Sequence, residues 1–233
     1  MSAPIPKALF ASVVLTLASV AANHLYPETH WPNEARVNHG PGESRDCGPG
    51  PSTLVVGASV AYGVGASDTE HEWWVIACHA LGGRWFNAAG GGHMSWNEVT
   101  QIRDNPGYDR VVVLDGANDL VLGLWPSIRG QIDVRYPRWK ANIDAMRAMR
   151  PDMLHVLQPI PFGVPCPCTA GHEAELRSVY DRMAAVADVD LSRLDVDYVD
   201  VVHFGDRGHG LVADAIVGVM RFRDAATRRE GDR

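Results

Sequence analysis

The stretch LVVGASVAYGVGASD, residues 54–68, governs how the whole chain is interpreted. An apolar run ends at Gly57, Ser59 follows two residues later, and two further glycines come soon after. A short apolar run that ends in glycine is typical of a buried strand. The turn behind this strand either cradles a phosphate or presents Ser59 as a nucleophile, and residues elsewhere in the chain must distinguish the two.

Short apolar runs alternate with helical patterns along the rest of the sequence. The predicted strands are residues 53–58, 84–88, 110–116, 153–160 and 195–201, and the predicted helices are residues 70–81, 136–150, 173–187 and 208–222. Nearly apolar strands that alternate with helices indicate a parallel sheet with helices on both faces. The sequence therefore predicts an α/β fold, in which ligands bind beyond the carboxyl ends of the strands.

The glycine pattern of residues 54–68 does not fit a phosphate site. The P-loop pattern G-x-x-x-x-G-K-[ST] is absent, and no lysine lies near the turn. The dinucleotide pattern G-x-G-x-x-G begins at Gly63 and Gly65 but has Asp68 in place of its third glycine. A nucleotide-binding function is therefore disfavoured, and Ser59 is favoured as a nucleophile.

Three later segments supply partners for a nucleophilic serine, and each follows a predicted strand. The segment NAAGGGHMSWNE, residues 87–98, offers glycine N–H groups that a substrate oxygen can approach without meeting a side chain. The segment GAND contains Asn118, whose side-chain N–H is a suitable donor to an oxyanion. In DVVH, residues 200–203, an aspartate three residues before a histidine orients the imidazole and leaves its other nitrogen free to accept a proton.

Ser59, a glycine loop, Asn118 and Asp200-x-x-His203, in this order, resemble the SGNH, or GDSL-type, hydrolases, a family of esterases and lipases. The resemblance covers about residues 53 to 218. It implies a three-layer α/β/α sandwich with a flavodoxin-like sheet of five parallel strands. It also implies a serine ester hydrolase without metal or cofactor, whose substrate is a small-molecule, lipid or carbohydrate ester.

The resemblance implies that Ser59 is the nucleophile, His203 the general base, and Asp200 the residue that orients His203. A second Asp-x-x-His pair, Asp206 and His209, competes for the latter two roles. In the family, a glycine–histidine pair usually follows the catalytic histidine by a few residues. That order favours His203 over His209.

The resemblance also implies an oxyanion hole with three donors. These are the backbone N–H of Ser59, a glycine N–H from the second segment, and the side chain of Asn118. Gly92 stands at the family's usual distance from the asparagine that opens this segment. Gly90 and Gly91 stay open as alternatives.

One position departs from the family pattern. The first motif of the family usually reads Gly-Asp-Ser, whereas this chain has Ala58 before Ser59. The missing aspartate is not part of the catalytic machinery. Its loss removes a hydrogen-bonding group beside Ser59 without removing a residue that takes part in the reaction. The departure also leaves an alternative function, a catalytically inactive binding module of the cell envelope that kept the fold.

Two aromatic residues flank the predicted site in sequence. Trp96 follows the glycine segment, and Trp125 follows the segment that contains Asn118. Both are candidates to bind an acyl or sugar group of the substrate. Both fit a place in the hydrophobic core equally well.

Composition excludes one large class of partners. The chain of 233 residues has a net charge of −7, and its only basic cluster, residues 221–229, also contains acidic residues. A nucleic-acid surface needs clustered lysines and arginines, so no nucleic-acid partner is expected. The length suits a single domain, which we place at residues 53–225, with a flexible tail at residues 226–233.

The amino-terminal residues predict export. Residues 8–22, ALFASVVLTLASVAA, follow a single lysine and carry no charge. This run is shorter than the 20 or so residues of a spanning helix, which favours a cleaved signal peptide over a membrane anchor. A secreted or envelope protein is expected, with membrane association through residues 8–22 in the anchor case. Residues 23–52, rich in proline and glycine, are typical of a linker.

Four cysteines agree with export, because disulfides form in oxidising compartments. Cys166 and Cys168 are too close in sequence to pair easily with each other, so we expect at least one of them to pair with Cys47 or Cys78. A zinc site at Cys166, Cys168 and His172 is the alternative. The paired C-x-x-C spacing of structural zinc sites is absent, which favours disulfides.

Overall fold

The computed structural model describes residues 42–116, 118–119, 132–159, 173–200 and 202–231. Their strands are β1 Glu43–Asp46, β2 Thr53–Gly57, β3 Arg84–Asn87, β4 Arg110–Asp115, β5 Leu154–Leu157 and β6 Val189–Asp190. Their α-helices are α1 Ser59–Tyr62, α2 Trp73–Leu81, α3 Ser95–Asp104, α4 Ile132–Met149, α5 Glu173–Ala184 and α6 Asp206–Gly231. Helix α3 was not predicted from the sequence, because its residues SWNEVTQIRD include few apolar side chains and follow directly on a run of glycines.

The strands form one sheet in the order β1-β3-β2-β4-β5-β6. Strands β2 to β6 are parallel to one another, and their order is that of flavodoxin-like sheets. Strand β1 pairs with β3 in the antiparallel direction at one edge. The predicted α/β fold with a flavodoxin-like parallel sheet is therefore confirmed, and β1 is an addition to it.

Each face of the sheet buries a separate apolar core. On β4, Val112 and Leu114 face helices α2 and α6, whereas Val111 and Val113 face helices α3, α4 and α5. Successive side chains of a strand point to opposite faces, so a run of valines and leucines serves both cores. These two helical layers complete the α/β/α sandwich.

The end of the predicted linker belongs to the folded domain. Residues 43–46 of that segment form β1, and Cys47 directly after β1 is bonded to Cys78 of α2, with 5.8 Å between the two Cα atoms. The prediction that Cys166 or Cys168 pairs with Cys47 or Cys78 is therefore wrong. Pairing of β1 with β3 brings Cys47 beside α2, a contact that the cysteine spacing alone does not reveal. Cys166 and Cys168 lie outside the described residues.

The last parallel strand is not where the sequence predicted it. Strand β6 is Val189–Asp190, and residues 195–200 contain only an isolated bridge from Tyr198 to Phe204. The alternation of valine and aspartate in this segment suggested a strand. The carboxylate of Asp197 instead accepts the N–H of Gly208 in the first turn of α6, at 2.6 Å. The segment is thus held as a loop that caps a helix.

Helix α6 is longer than its sequence pattern indicated. It continues to Gly231 and so includes most of the predicted tail at residues 226–233. None of the helices among the described residues is long and apolar enough to cross a membrane. Residues 8–22 lie outside these ranges, and their part in export stays a prediction.

His209 of α6 is fully buried and neutral. Its Nδ1 accepts the N–H of Trp73 at 3.4 Å, and its Nε2 donates to the carbonyl of Val64 at 3.3 Å. Burial lowers the pKa of His209 from 6.5 to about 4. Between these two pH values the unfolded chain binds a proton that the native protein excludes. The contribution of His209 to stability is therefore complete above pH 6.5 and is lost as the pH falls towards 4.

The substitution His209→Asn is expected to show this pH dependence. We expect the native protein to have a larger free energy of unfolding than the variant at pH 7.5. This difference should shrink by about 2 kcal/mol at pH 5. The check is urea unfolding of both proteins at the two pH values, since other titrating groups cancel in the difference. A difference that stays constant between pH 7.5 and pH 5 would contradict a buried, neutral His209.

Candidate active site

Ser59 lies at the carboxyl end of the central strand β2. Strand β2 ends at Gly57, whose φ of +147° suits glycine, and a Cβ there would collide with the carbonyl oxygen of Leu114 and with the Cβ of Ala61. Helix α1 then begins at Ser59 itself. This sharp strand-to-helix turn leaves the side chain of Ser59 partly exposed beyond the edge of the sheet.

Ser59, His203 and Asp200 form a continuous hydrogen-bonded chain. The Oγ of Ser59 lies 2.8 Å from Nε2 of His203, and Nδ1 of His203 lies 2.7 Å from Oδ2 of Asp200. The other carboxylate oxygen of Asp200 accepts the N–H groups of Val202 and His203 at 2.7 and 2.8 Å. The structure thus brings Ser59 into contact with His203, which lies 144 positions later in the sequence.

The Asp200 carboxylate is held in its charged form. Burial alone raises the pKa of Asp200, but the hydrogen bonds from His203 and from the backbone outweigh burial, and its pKa lies below the usual value. A charged Asp200 accepts a proton-bearing Nδ1, which leaves Nε2 of His203 as the acceptor that faces Ser59. The arrangement is chemically able to take the proton of the Ser59 hydroxyl.

The competing pair, Asp206 and His209, is not joined in the structure. The Asp206 carboxylate accepts the N–H and the Oγ–H of Ser67, both at 2.7 Å. His209 instead bonds to backbone groups of the core, as described above. The geometry therefore favours the pair formed by Asp200 and His203.

The candidate oxyanion donors come from the ends of β2, β3 and β4. The side-chain amide of Asn118 donates one hydrogen to the carbonyl of His93 at 2.8 Å, and its second N–H donates to no other described residue. Gly90 donates its N–H to the carbonyl of Gly57 at 3.2 Å, so this group is already used. The N–H of Gly92 donates to no other described residue. Of the three glycines in the loop, Gly90 is the least suitable donor.

Sequence comparison finds no matching protein-family model and no matching curated protein. Solved structures match well. A carbohydrate acetylesterase family member from Sinorhizobium meliloti is 17% identical with a TM-score of 0.53, over 74% of this chain and 98% of the other. The native aryl esterase of M. smegmatis is 14% identical with a TM-score of 0.54, over 73% and 98% of the two chains. A lipolytic protein of the G-D-S-L family from Veillonella parvula is 14% identical with a TM-score of 0.52, over 72% and 97%.

The chain has the fold of the SGNH hydrolases. This agrees with the resemblance of its four short motifs to that family. Among the described residues, no group of three or more histidine, cysteine, aspartate or glutamate side chains is arranged to hold a metal ion.

Asp119 anchors the segment that carries Asn118, in this SGNH fold, to helix α3. Its carboxylate accepts the N–H of Ser95 at 2.9 Å and the Oγ–H of Ser95 at 2.8 Å, and Asn142 donates to the same Oγ at 2.8 Å. Burial, together with the charge of Asp115, raises the pKa of Asp119 to about 6. The segment that carries Asn118 is thereby fixed to the start of α3, the helix that follows the glycine loop.

Of the two tryptophans that were predicted to bind substrate, the structure describes Trp96. Trp96 lies in the first turn of α3, with 55% of its surface exposed, and so is not a core residue. Its position directly after Ser95, which bonds to Asp119, places it near the segment that carries Asn118. Trp125 lies outside the described residues.

The sequence did not reveal a group of buried polar residues behind the site. The Asp115 carboxylate accepts the Nε1–H of Trp139 at 2.7 Å and lies 2.8 Å from Nε2 of His155. Burial, and then the charges of Asp115 and Asp119, raise the pKa of Glu98 well above its usual value. Glu98 and Gln101 lie one helical turn apart on the inner face of α3. Their spacing of three positions was the feature of the sequence that could have indicated a shared polar face.

Proposed function

We propose that this protein is a serine ester hydrolase in which Ser59 is the nucleophile, His203 the general base and Asp200 the residue that orients His203. The observation that carries the proposal is the hydrogen-bonded chain from Ser59 Oγ through the imidazole to Asp200. Structures that share the fold and carry the names of esterases support the same reaction class. The fold alone hosts many functions, so the weight rests on the geometry of these side chains.

The proposed reaction has two halves. His203 Nε2 accepts the hydroxyl proton while Ser59 Oγ bonds to the ester carbonyl carbon, and the protonated imidazole then gives that proton to the departing alcohol oxygen. An acyl-enzyme on Ser59 results. A water molecule next loses its proton to His203 and attacks the acyl carbon, and Ser59 leaves with the proton returned.

The negative charge that develops on the carbonyl oxygen needs donors fixed in advance. We assign this role to the N–H groups of Ser59 and Gly92 and to the second side-chain N–H of Asn118, the one that does not donate to His93. The hydrogen bond from Asn118 to the carbonyl of His93 fixes its amide plane, so the second N–H has a set direction. Such preorganised donors act without rearrangement during the reaction.

Asn118→Ala is expected to lower kcat about 100- to 1000-fold, the usual effect of losing one oxyanion donor. The KM for a small ester should change little, because the donor acts mainly on the transition state. Steady-state kinetics with p-nitrophenyl acetate test this, with Asn105→Ala as a matched control at the end of α3. An unchanged kcat in Asn118→Ala would remove this side chain from the oxyanion hole.

The proposed substrate is a small-molecule, lipid or carbohydrate ester. One structural neighbour is named a carbohydrate acetylesterase family member, which favours a short acyl group, and another is named an aryl esterase, which favours an aromatic alcohol part. The exposed Trp96 at the start of α3 offers a flat apolar surface for the acyl or alcohol part. Export to the outside or to the cell envelope, through residues 8–22, is part of the proposal.

The test is hydrolysis of p-nitrophenyl esters from acetate to longer chains by the purified full-length protein. Release of p-nitrophenolate well above the rate in buffer is expected, with a preference for short chains. The alternative, an inactive binding module, rests on Ala58, which is buried and provides no side-chain hydrogen bond at the start of α1. Absence of hydrolysis across the whole ester series, in a folded protein, would favour that alternative.

A further inference from the structure

The sheet opens beside the nucleophile turn. Strand β3 pairs with β2 as far as Asn87, and the N–H of Ala88 still donates to the carbonyl of Val55. The chain then leaves the sheet as the glycine loop. Alternate residues of a parallel strand direct both backbone groups to the same neighbour, so Gly57 faces the gap where β3 has departed. Gly90 in this loop still donates to the carbonyl of Gly57, whereas the N–H of Gly57 is left without a backbone acceptor among the described residues. A buried N–H of this kind requires another partner.

The side chain of Gln101 fills this gap. Gln101 lies on α3 with 7% of its surface exposed. Its Oε1 accepts the N–H of Gly57 at 2.9 Å, and its Nε2 donates to the carbonyl of Gly57 at 3.2 Å. The amide thus supplies the acceptor for the Gly57 N–H that a longer β3 would have provided, and it shares the Gly57 carbonyl with the N–H of Gly90. The same Nε2 lies 2.7 Å from Nδ1 of His93, in the glycine loop.

These contacts determine which ring nitrogen of His93 carries the proton. The orientation of the Gln101 amide is set by Gly57, because a flipped amide would direct N–H at N–H and oxygen at oxygen. The second Nε2 hydrogen of Gln101 therefore points at Nδ1 of His93, which must be the unprotonated nitrogen. The proton of the neutral imidazole lies on Nε2.

We infer that Gln101 is a positioning residue that fixes the nucleophile turn relative to the glycine loop. Gly57 precedes Ser59 by two residues, and His93 directly follows Gly92. The carbonyl of His93 also holds the side chain of Asn118. One buried amide therefore links the segments that carry all three proposed oxyanion donors. The inference rests on the proposed function, to which it adds a residue outside the reacting atoms.

Gln101→Met tests the inference by removing the amide while keeping the length of the side chain. We expect kcat for p-nitrophenyl acetate to fall about 10- to 100-fold, the size of effect that small misplacement of a catalytic group produces. The KM should stay within about twofold, because the amide does not contact substrate. The matched control is Gln158→Met, since Gln158 is also buried and its Nε2 has no partner among the described residues. Thermal unfolding of both variants is measured alongside.

Gln101→Glu supplies a second readout that does not depend on hydrolysis. The variant keeps the acceptor for Gly57 but directs a carboxylate oxygen at Nδ1 of His93. ¹⁵N NMR of the histidine side chains, with His93→Asn used to assign the signal, should show an unprotonated Nδ1 in the native protein. In Gln101→Glu the same nitrogen should carry a proton. This variant also replaces Gln101→Met in the kinetic test if the latter does not fold.

The outcomes separate the two claims. A reduced kcat in the Gln101 variant, with Gln158→Met unchanged, supports the positioning role. Equal kcat values for the Gln101 variant, Gln158→Met and the native protein would overturn it. If the native protein hydrolyses no ester, the proposed function fails, and the NMR result alone decides whether Gln101 joins Gly57 to His93. A native-like His93 signal in Gln101→Glu would then overturn the link.

Discussion

Replacing Ser59 with alanine is expected to lower kcat for ester hydrolysis on the order of 10⁶-fold, the scale found when a serine nucleophile is removed. Without Oγ the acyl-enzyme does not form, and the hydrogen bond to His203 Nε2, 2.8 Å long in the native protein, is lost. The residual rate comes from substrate binding and from the oxyanion donors acting on a direct attack by water. The measurement is steady-state release of p-nitrophenolate from p-nitrophenyl acetate.

Ser67→Ala is the matched control for this prediction. Ser67 lies eight residues after Ser59, and its hydroxyl donates to Asp206 rather than to His203. This variant should retain a kcat within about twofold of the native value, because surface substitutions away from a site have small effects. A Ser59→Ala protein as active as Ser67→Ala would exclude Ser59 as the nucleophile.

Asp200→Asn is expected to lower kcat about 10⁴-fold while the protein stays folded. The asparagine oxygen can still accept the N–H groups of Val202 and His203, so the local turn is retained. Its amide nitrogen, however, then faces Nδ1 of His203. The imidazole responds by moving its proton to Nε2, where it no longer accepts the proton of Ser59.

The control is Asp206→Asn, which changes the other Asp-x-x-His pair of the sequence. Asp206 contacts Ser67 and not the imidazole of His209, so its loss should leave kcat close to the native value. Comparing kcat of the two variants, with circular dichroism to confirm folding, distinguishes the two pairs. A larger loss of kcat in Asp206→Asn than in Asp200→Asn would reverse the assignment.

Much of the fold was predictable because parallel strands bury both faces and so produce continuous apolar runs. The runs around Val55, Val112 and Val156 all correspond to strands of the sheet. The segment at residues 195–201 misled the prediction, because alternation of aspartate and valine suits a strand and a helix-capping loop alike. Only tertiary contacts, here from Asp197 to Gly208, distinguish the two.

The candidate site was predictable where each group follows its own strand. Ser59 and Asn118 carry short local patterns after β2 and β4, and the topology of a parallel sheet brings them to one edge. The Asp200–His203 pair was recognisable from its own spacing, although it follows a loop and not the strand that the sequence predicted. Gln101 carries no such pattern. Its partner Gly57 is 44 residues away, and the need for its amide arises only where β3 leaves the sheet. The pairing of Cys47 with Cys78 was also missed, because it depends on the edge strand β1, which the sequence spacing of the cysteines does not reveal.

The central claim is that Ser59 is an activated nucleophile, and covalent labelling addresses it without knowledge of the natural substrate. The full-length protein is treated with a fluorophosphonate, and the modified residue is located by mass spectrometry of its peptides. We expect one label per chain, on the peptide that contains Ser59, and none in Ser59→Ala or after unfolding. A folded protein that remains unlabelled, or a label on another residue that persists in Ser59→Ala, would contradict the assignment of Ser59.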